Sequence, residues 1–167
     1  MFNLILLIIF PALMAFAASS DLLTMRISNR VVLALIAGFV VMALIMGMPL
    51  QQFGAHLLTG LVVLVVAFAL FAFGWVGGGD AKLAAATALW LGTPITYTYL
   101  IYAALAGGVL TLVILGLRLL PMSPYLSRFE WIERLHSKVR KIPYGIALAV
   151  GGLLVYPQSV TFTHFAG

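Results

Sequence analysis

Six apolar stretches, over residues 2–18, 31–48, 55–73, 83–92, 95–117 and 143–157, account for most of this 167-residue chain. About 20 apolar residues cross the hydrocarbon core of a bilayer as a helix, because lipid offers no partner to an unsatisfied backbone amide. The pattern predicts an all-α polytopic bundle of about six transmembrane helices, forming a single integral membrane domain over residues 1–167. No room is left for a separate soluble domain. The fourth stretch is short, and is expected either to span only partly or to begin below the membrane surface at Asp80. Composition agrees that lipid is the solvent: 64% of residues are hydrophobic and 8% charged, against about a quarter charged in soluble domains.

The basic residues set the expected orientation. Arg26 and Arg30 lie in the first connection, Lys82 in the third, and Arg118, Arg128, Arg134, Lys138, Arg140 and Lys141 in the fifth, which together are all nine. The N-terminus, the connections at 49–54 and 92–94 and the tail from Gln158 carry none. Cytoplasmic loops are enriched in Lys and Arg, so the odd connections are expected in the cytoplasm and both termini outside it. The net charge of +5 is thereby read as topology, and no nucleic-acid partner is expected. Ala15-Phe16-Ala17 resembles a signal-peptide cleavage site, but no basic residue precedes Arg26. The first span is therefore expected to be retained.

The chain has no cysteine, which removes disulfides, thiol nucleophiles and cysteine-ligated zinc. Its histidines, His56, His136 and His164, lie in three separate segments without i, i+4 pairing. Neither a metal nor another cofactor is expected.

All four acidic residues, Asp21, Asp80, Glu130 and Glu133, fall in connections assigned to the cytoplasmic face. Asp21 follows the first span in Ser19-Ser20-Asp21-Leu22-Leu23, and Asp80 lies in Gly77-Gly78-Gly79-Asp80-Ala81-Lys82. At a membrane boundary an ionised carboxylate is costly unless paired, hydrated or used. Two carboxylates close together cannot easily both ionise, so such a pair holds an acid and a base at once. That is what aspartyl hydrolysis of a peptide bond requires. Each aspartate also has a plainer reading. Asp80 has the look of a helix-capping acid whose charge the helix dipole favours, and Asp21 that of a solvated loop carboxylate near Arg26 and Arg30. The glycines before Asp80 go beyond what a cap needs, since they permit positive φ and close backbone approach. Lys82 either holds the Asp80 carboxylate or marks the membrane boundary, and the boundary role is favoured. Ser28 and Asn29 are potential caps for the second span.

Three motifs in order resemble the type IV prepilin peptidases, the membrane aspartyl peptidases of the GxGD type. Asp21 to Asn29 is similar to their first-aspartate motif, with Asn29 before the second span; Gly77, Gly79, Asp80 and Lys82 match Gly-x-Gly-Asp-x-Lys; and Pro143-Tyr144-Gly145 resembles the opening of their last helix. Ser28 departs from the family's usual proline. The resemblance implies Asp21 and Asp80 as the catalytic pair, with Asn29, Gly77, Gly79 and Lys82 supporting. It implies removal of the leader from prepilin or pseudopilin substrates at the cytoplasmic face of a bacterial inner membrane. Long members carry a cysteine-bearing insertion and N-methylate the product. This chain lacks both insertion and cysteines, so it resembles the short CpaA/TadV form of Flp/Tad pilus systems, without methyltransferase activity.

Leu126, Phe129, Ile132, Leu135, Val139 and Ile142 recur at three- and four-residue intervals and predict a cytoplasmic amphipathic helix before the last span, anchored on lipid, with Glu130 and Arg134 paired. Ala104, Gly107, Gly108, Gly116, Gly151 and Gly152 are expected to allow close helix packing. Thr96-Tyr97-Thr98-Tyr99 is expected to start the fifth span at the outer surface. Two other function classes answer to the same aspartates: a small proton- or cation-coupled carrier subunit, and a non-catalytic pilus-assembly membrane subunit. Oligomeric state has no signal in the sequence.

Overall fold

A computed structural model describes residues 2–121, 128–137 and 142–166. The helices are α1 (Phe2–Thr24), α2 (Asn29–Ile45), α3 (Leu50–Ala72), α4 (Gly78–Leu91), α5 (Thr93–Leu117), α6 (Glu130–His136), α7 (Gly145–Val155) and α8 (Val160–Ala166), with a 3₁₀ turn at Tyr156–Gln158. Among the described residues there is no strand. The chain is an all-helical, multi-pass membrane protein.

The bundle is organised around α4. Leu83 through Leu91 are all buried, and α2, α3, α5 and α7 pack on it from different sides. The alanines of this helix let neighbours approach closely all round. In lipid, that packing replaces the hydrophobic effect as the main attraction between helices. Gly60 of α3 shows how close: a Cβ there would lie 3.3 Å from both Ala85 O and Leu89 Cβ. Near the C-terminal end of α4, Trp90 is fully buried and its indole Nε1 donates to Leu35 O at 2.8 Å. Phe10, Phe39 and Tyr156 surround its ring.

The side-chain contacts settle which helix ends meet. Asp21 near the end of α1 meets Gly145 at the start of α7, and Ile27, just before α2, meets Gly79 at the start of α4. These four helix ends therefore share one side of the bundle. At the other side, His56 of α3 donates from Nδ1 to Leu89 O at 2.8 Å, satisfying a carbonyl near the end of α4. Gly92 then turns the chain into α5 with φ +73°, and the His56 ring occupies the space a Cβ would need.

Helix lengths modify the expectation of six full spans. α1 over Leu6–Thr24, α3 and α5 are long and apolar enough to cross a membrane; α7 with its 3₁₀ turn and α8, bent by 50°, make a fourth crossing if counted as one. α2 is a shorter apolar helix of 17 residues, and α4 has 14. At 1.5 Å per residue α4 rises only about 21 Å against a hydrocarbon core of about 30 Å. An apolar run in sequence measures preference for a dry environment, and protein provides that environment for α4 as well as lipid would.

Other expectations meet the structure unevenly. α6 covers only seven residues, Glu130–His136, of the expected amphipathic helix. Leu126 and Val139 lie outside the described residues. Ile132 and Leu135 are half-buried, and Arg134 pairs with Glu130 at 2.6 Å. Gly107, Gly151 and Gly152 do sit at close helix contacts, whereas Gly108 and Gly116 face open space and Ala104 is exposed. Tyr97 is exposed and Tyr99 is fully buried, its hydroxyl turned inward without a hydrogen-bond partner among the described residues.

Candidate active site

Asp21 does not lie in a loop. The helix continues past the first apolar stretch to Thr24, so that Asp21 sits in its last turn, and Met25, with φ 54°, ends it. The turn is secured locally: Thr24 Oγ1 donates to Ser20 O at 2.7 Å, and Ser20 Oγ donates to Arg26 O at 3.0 Å. Asp21 is buried, with 5% exposure. Its Oδ2 accepts a hydrogen bond of 2.7 Å from the amide of Gly145. That amide is one of the unpaired donors at the start of α7, where the helix dipole favours an anion. Gly145 is required by space: a Cβ there would fall 2.8 Å from both Asp21 Oδ2 and Ile27 Cδ1. Tyr144, immediately before it, lays its phenol ring against Gly107 of α5.

Asp80 is positioned by its own helix. Gly77 is the N-cap of α4, and Asp80 stands in the first turn. Its carboxylate folds back over Gly77, where a Cβ would lie 2.5 Å from Oδ2. Asp80 is half-buried and is the acidic residue of the first turn, where the helix dipole favours its charge, and is not the N-cap itself. The three glycines serve close approach only; none of them has positive φ, contrary to expectation. Gly78 packs under the ring of Phe71, and Gly79 gives way to Ile27, whose Cβ lies 3.2 Å from where a Cβ would sit.

Ile27 therefore stands between the two corners, touching the glycine before Asp80 and the glycine that holds Asp21. Nothing in its residue type announces this. Asn29 and Lys82 form a second tie between the Asp80 corner and α2, Lys82 Nζ donating to Asn29 Oδ1 at 3.0 Å. Lys82 is exposed, and this bond joins the start of α4 to the start of α2. The departure at Ser28 is absorbed without distortion. Ser28 caps α2, accepting from Arg30 N at 3.2 Å, with φ −68°, where a proline ring would also hold it.

A cavity of about 980 Å³ opens beside Asp80. α3 and α5 form its walls, α4 and α7 its floor, and Gly77, Asp80 and Tyr144 line one end while Thr59, Thr93 and Thr96 line the other. The walls between are apolar except for Thr111, and Arg118 at the end of α5 also lines the cavity. Asp21 lies outside the lining, behind the first turn of α7. Among the described residues, no three His, Asp or Glu side chains converge as metal ligands.

The profile of the type IV leader peptidase family matches residues 8–112. That stretch contains both aspartates and the whole Gly77–Lys82 motif. The chain belongs to the type IV leader peptidase family. Membership indicates a membrane aspartic-type peptidase with a protein substrate. Pro143-Tyr144-Gly145 lies beyond the matched region and is tied to it by the Asp21 hydrogen bond. No curated protein and no solved structure matches the chain significantly.

Proposed function

We propose that this protein is a prepilin leader peptidase of the Flp/Tad type, with Asp21 and Asp80 as its catalytic pair and without N-methyltransferase activity. One observation carries the assignment of the pair: Ile27 packs against both Gly79 and Gly145, which puts the two aspartate-bearing corners side by side. In the proposed reaction one carboxylate is ionised and takes a proton from a water as that water attacks the scissile carbonyl. The other is protonated and donates toward the carbonyl oxygen; collapse of the tetrahedral intermediate then releases the new amine with a proton from the pair. The Gly145 amide occupies Oδ2 of Asp21, which leaves Oδ1 for the shared proton.

The aspartate end is placed in the cytoplasm of a bacterial inner membrane, with both termini outside and the short α2 and α4 counted among six passes. The distribution of charge supports this. Arg134 donates to Leu23 O near the end of α1, Arg118 to Leu135 O of α6, and Lys82 to Asn29, so these basic side chains gather at the end that holds both aspartates. A carrier would need ionisable groups along the cavity. Apart from Asp80 and Arg118, its lining holds hydroxyls and apolar side chains.

The test is co-expression with candidate prepilins, following leader removal by gel shift and product mass, for the parent and for Asp21→Asn and Asp80→Asn. Each substitution is expected to lower cleavage by roughly 10²–10⁴-fold, the usual contribution of a positioned acid or base, at normal membrane levels. The product mass should show no added methyl group. Cleavage that survives either substitution removes that residue from the pair.

A further inference from the structure

Taking the peptidase reading of Asp80 as given, we infer that the cavity between α3 and α5 is the seat for the apolar helix that follows the leader in the substrate. The groove begins at the carboxylate and runs along α4 toward Thr93. A membrane-anchored substrate cut beside Asp80 must enter an apolar environment within a few residues of the scissile bond. Beyond Asp80 and Arg118 the groove supplies one, its lining being mainly apolar. Its floor is made of small side chains, Ala81 and Ala84 of α4, which allow a second helix backbone to approach closely. Its walls stand apart, α3 and α5 sharing little contact, so that a helix can enter sideways from the bilayer. This is helix-in-groove recognition, in which apolar side chains at helical spacing supply the contact. An acyl chain would gain nothing from the carboxylate at one end or from the Thr59 and Thr93 hydroxyls, 2.7 Å apart, at the other.

Val66 on α3 and Leu100 on α5 line the groove with side chains 56% and 40% exposed, so a larger residue at either fills the groove without disturbing the core. Val65, 61% exposed on α3, lies off the groove and serves as control. The full-length protein, reconstituted in lipid nanodiscs, is given two substrates: an intact prepilin, and a short peptide that spans the leader and scissile bond but lacks the apolar helix. The ratio of kcat/KM for prepilin over peptide is expected to fall about tenfold in Val66→Trp and Leu100→Trp, as for loss of one well-packed apolar contact, and to stay at the parent value in Val65→Trp. An unchanged ratio in the groove variants, or an equal fall in Val65→Trp, overturns the inference. A photo-crosslinker at position 66 of the Asp80→Asn protein reads docking without cleavage. Capture of the prepilin helix supports the seat, and capture of lipid alone or of a second copy of this chain overturns it. Should the parent cleave neither substrate, the peptidase reading falls while the crosslink still decides the groove.

Discussion

Asp21 and Asp80 reach the same side of the bundle by opposite means. Asp80 is held locally: the glycine against which its carboxylate rests is three residues earlier, in the cap of the same helix. Asp21 is held by a residue 124 positions away, and its environment exists only once α7 has docked. Asp80 faces the groove, whereas Asp21 is enclosed. One carboxylate thus lines an open groove, and the other is sensitive to how two distant parts of the chain assemble. Substitutions that treat the two corners alike should therefore have unlike consequences.

The largest difference is expected at the two supporting glycines. Gly145→Ala places a methyl group 2.8 Å from Asp21 Oδ2 and from Ile27 Cδ1, with α7 packed on both α1 and α5. Asp21 Cβ, at 3.1 Å, is fixed by α1, so the buried carboxylate has little room to turn away. Overpacking of this kind costs about 1–3 kcal/mol, and leader cleavage should fall nearly as far as in Asp21→Asn, with a lower midpoint of thermal unfolding in detergent. Gly77→Ala meets only the far end of a half-buried side chain, which can rotate away. It should reduce cleavage about tenfold by turning the carboxylate, roughly 1.4 kcal/mol in the barrier, with little change in the unfolding midpoint. If Gly77→Ala melts as early as Gly145→Ala, the Asp80 corner is not locally built.

A smaller effect is expected where the Asp80 corner is tied to α2 at the surface. The bond from Lys82 to Asn29 is exposed, so Lys82→Ala and Asn29→Ala should each cost about 0.5–1.5 kcal/mol, the range of an ordinary net hydrogen bond. The double variant should cost less than their sum, because the two residues share one bond. Strict additivity in unfolding measurements would mean the bond contributes nothing and that each residue acts alone. A much larger loss of cleavage in Lys82→Ala than in Asn29→Ala would point instead to a direct electrostatic role for Lys82 at Asp80.

The same contrast explains what could be read from the sequence. The Asp80 corner is contiguous, so Gly77, Gly79, Asp80 and Lys82 stand out together, and the glycines signal close approach even though their φ values are ordinary. The Asp21 corner is assembled from three segments. Its aspartate looked like a loop residue because the apolar run ends before it; the helix continues because Ser20 and Thr24 bond within the last turn. Ile27 has no signature, since an apolar residue in a polar connection looks like any other. The short α4 shows what hydropathy leaves open, because an apolar run alone does not distinguish a helix buried in protein from one that spans lipid. α4 in particular is buried from Leu83 to Leu91, with Ala81 and Ala84 at the floor of the groove. Tyr99 turns inward where Tyr97 is exposed, because the next residue but one on a helix faces another direction.

The finest test concerns the position at which the chain departs from its family's usual pattern. Ser28 ends the link between the corners and begins α2, and two opposing terms act on Ser28→Pro. The substitution removes a side-chain cap from Arg30 N, a loss of about 0.5–2 kcal/mol. Proline would be held near the φ of −68° that Ser28 already adopts, which restricts the unfolded chain and returns about 0.4–1 kcal/mol. The terms nearly cancel, so the unfolding midpoint should move little and cleavage should remain within a factor of about three, equivalent to roughly 0.6 kcal/mol. A large loss of cleavage at unchanged stability would mean that Ile27, the preceding residue, needs freedom that a following proline denies it. The link between the two aspartate corners would then be a moving part of the site, and the static contact of Ile27 with Gly79 and Gly145 only one of its positions.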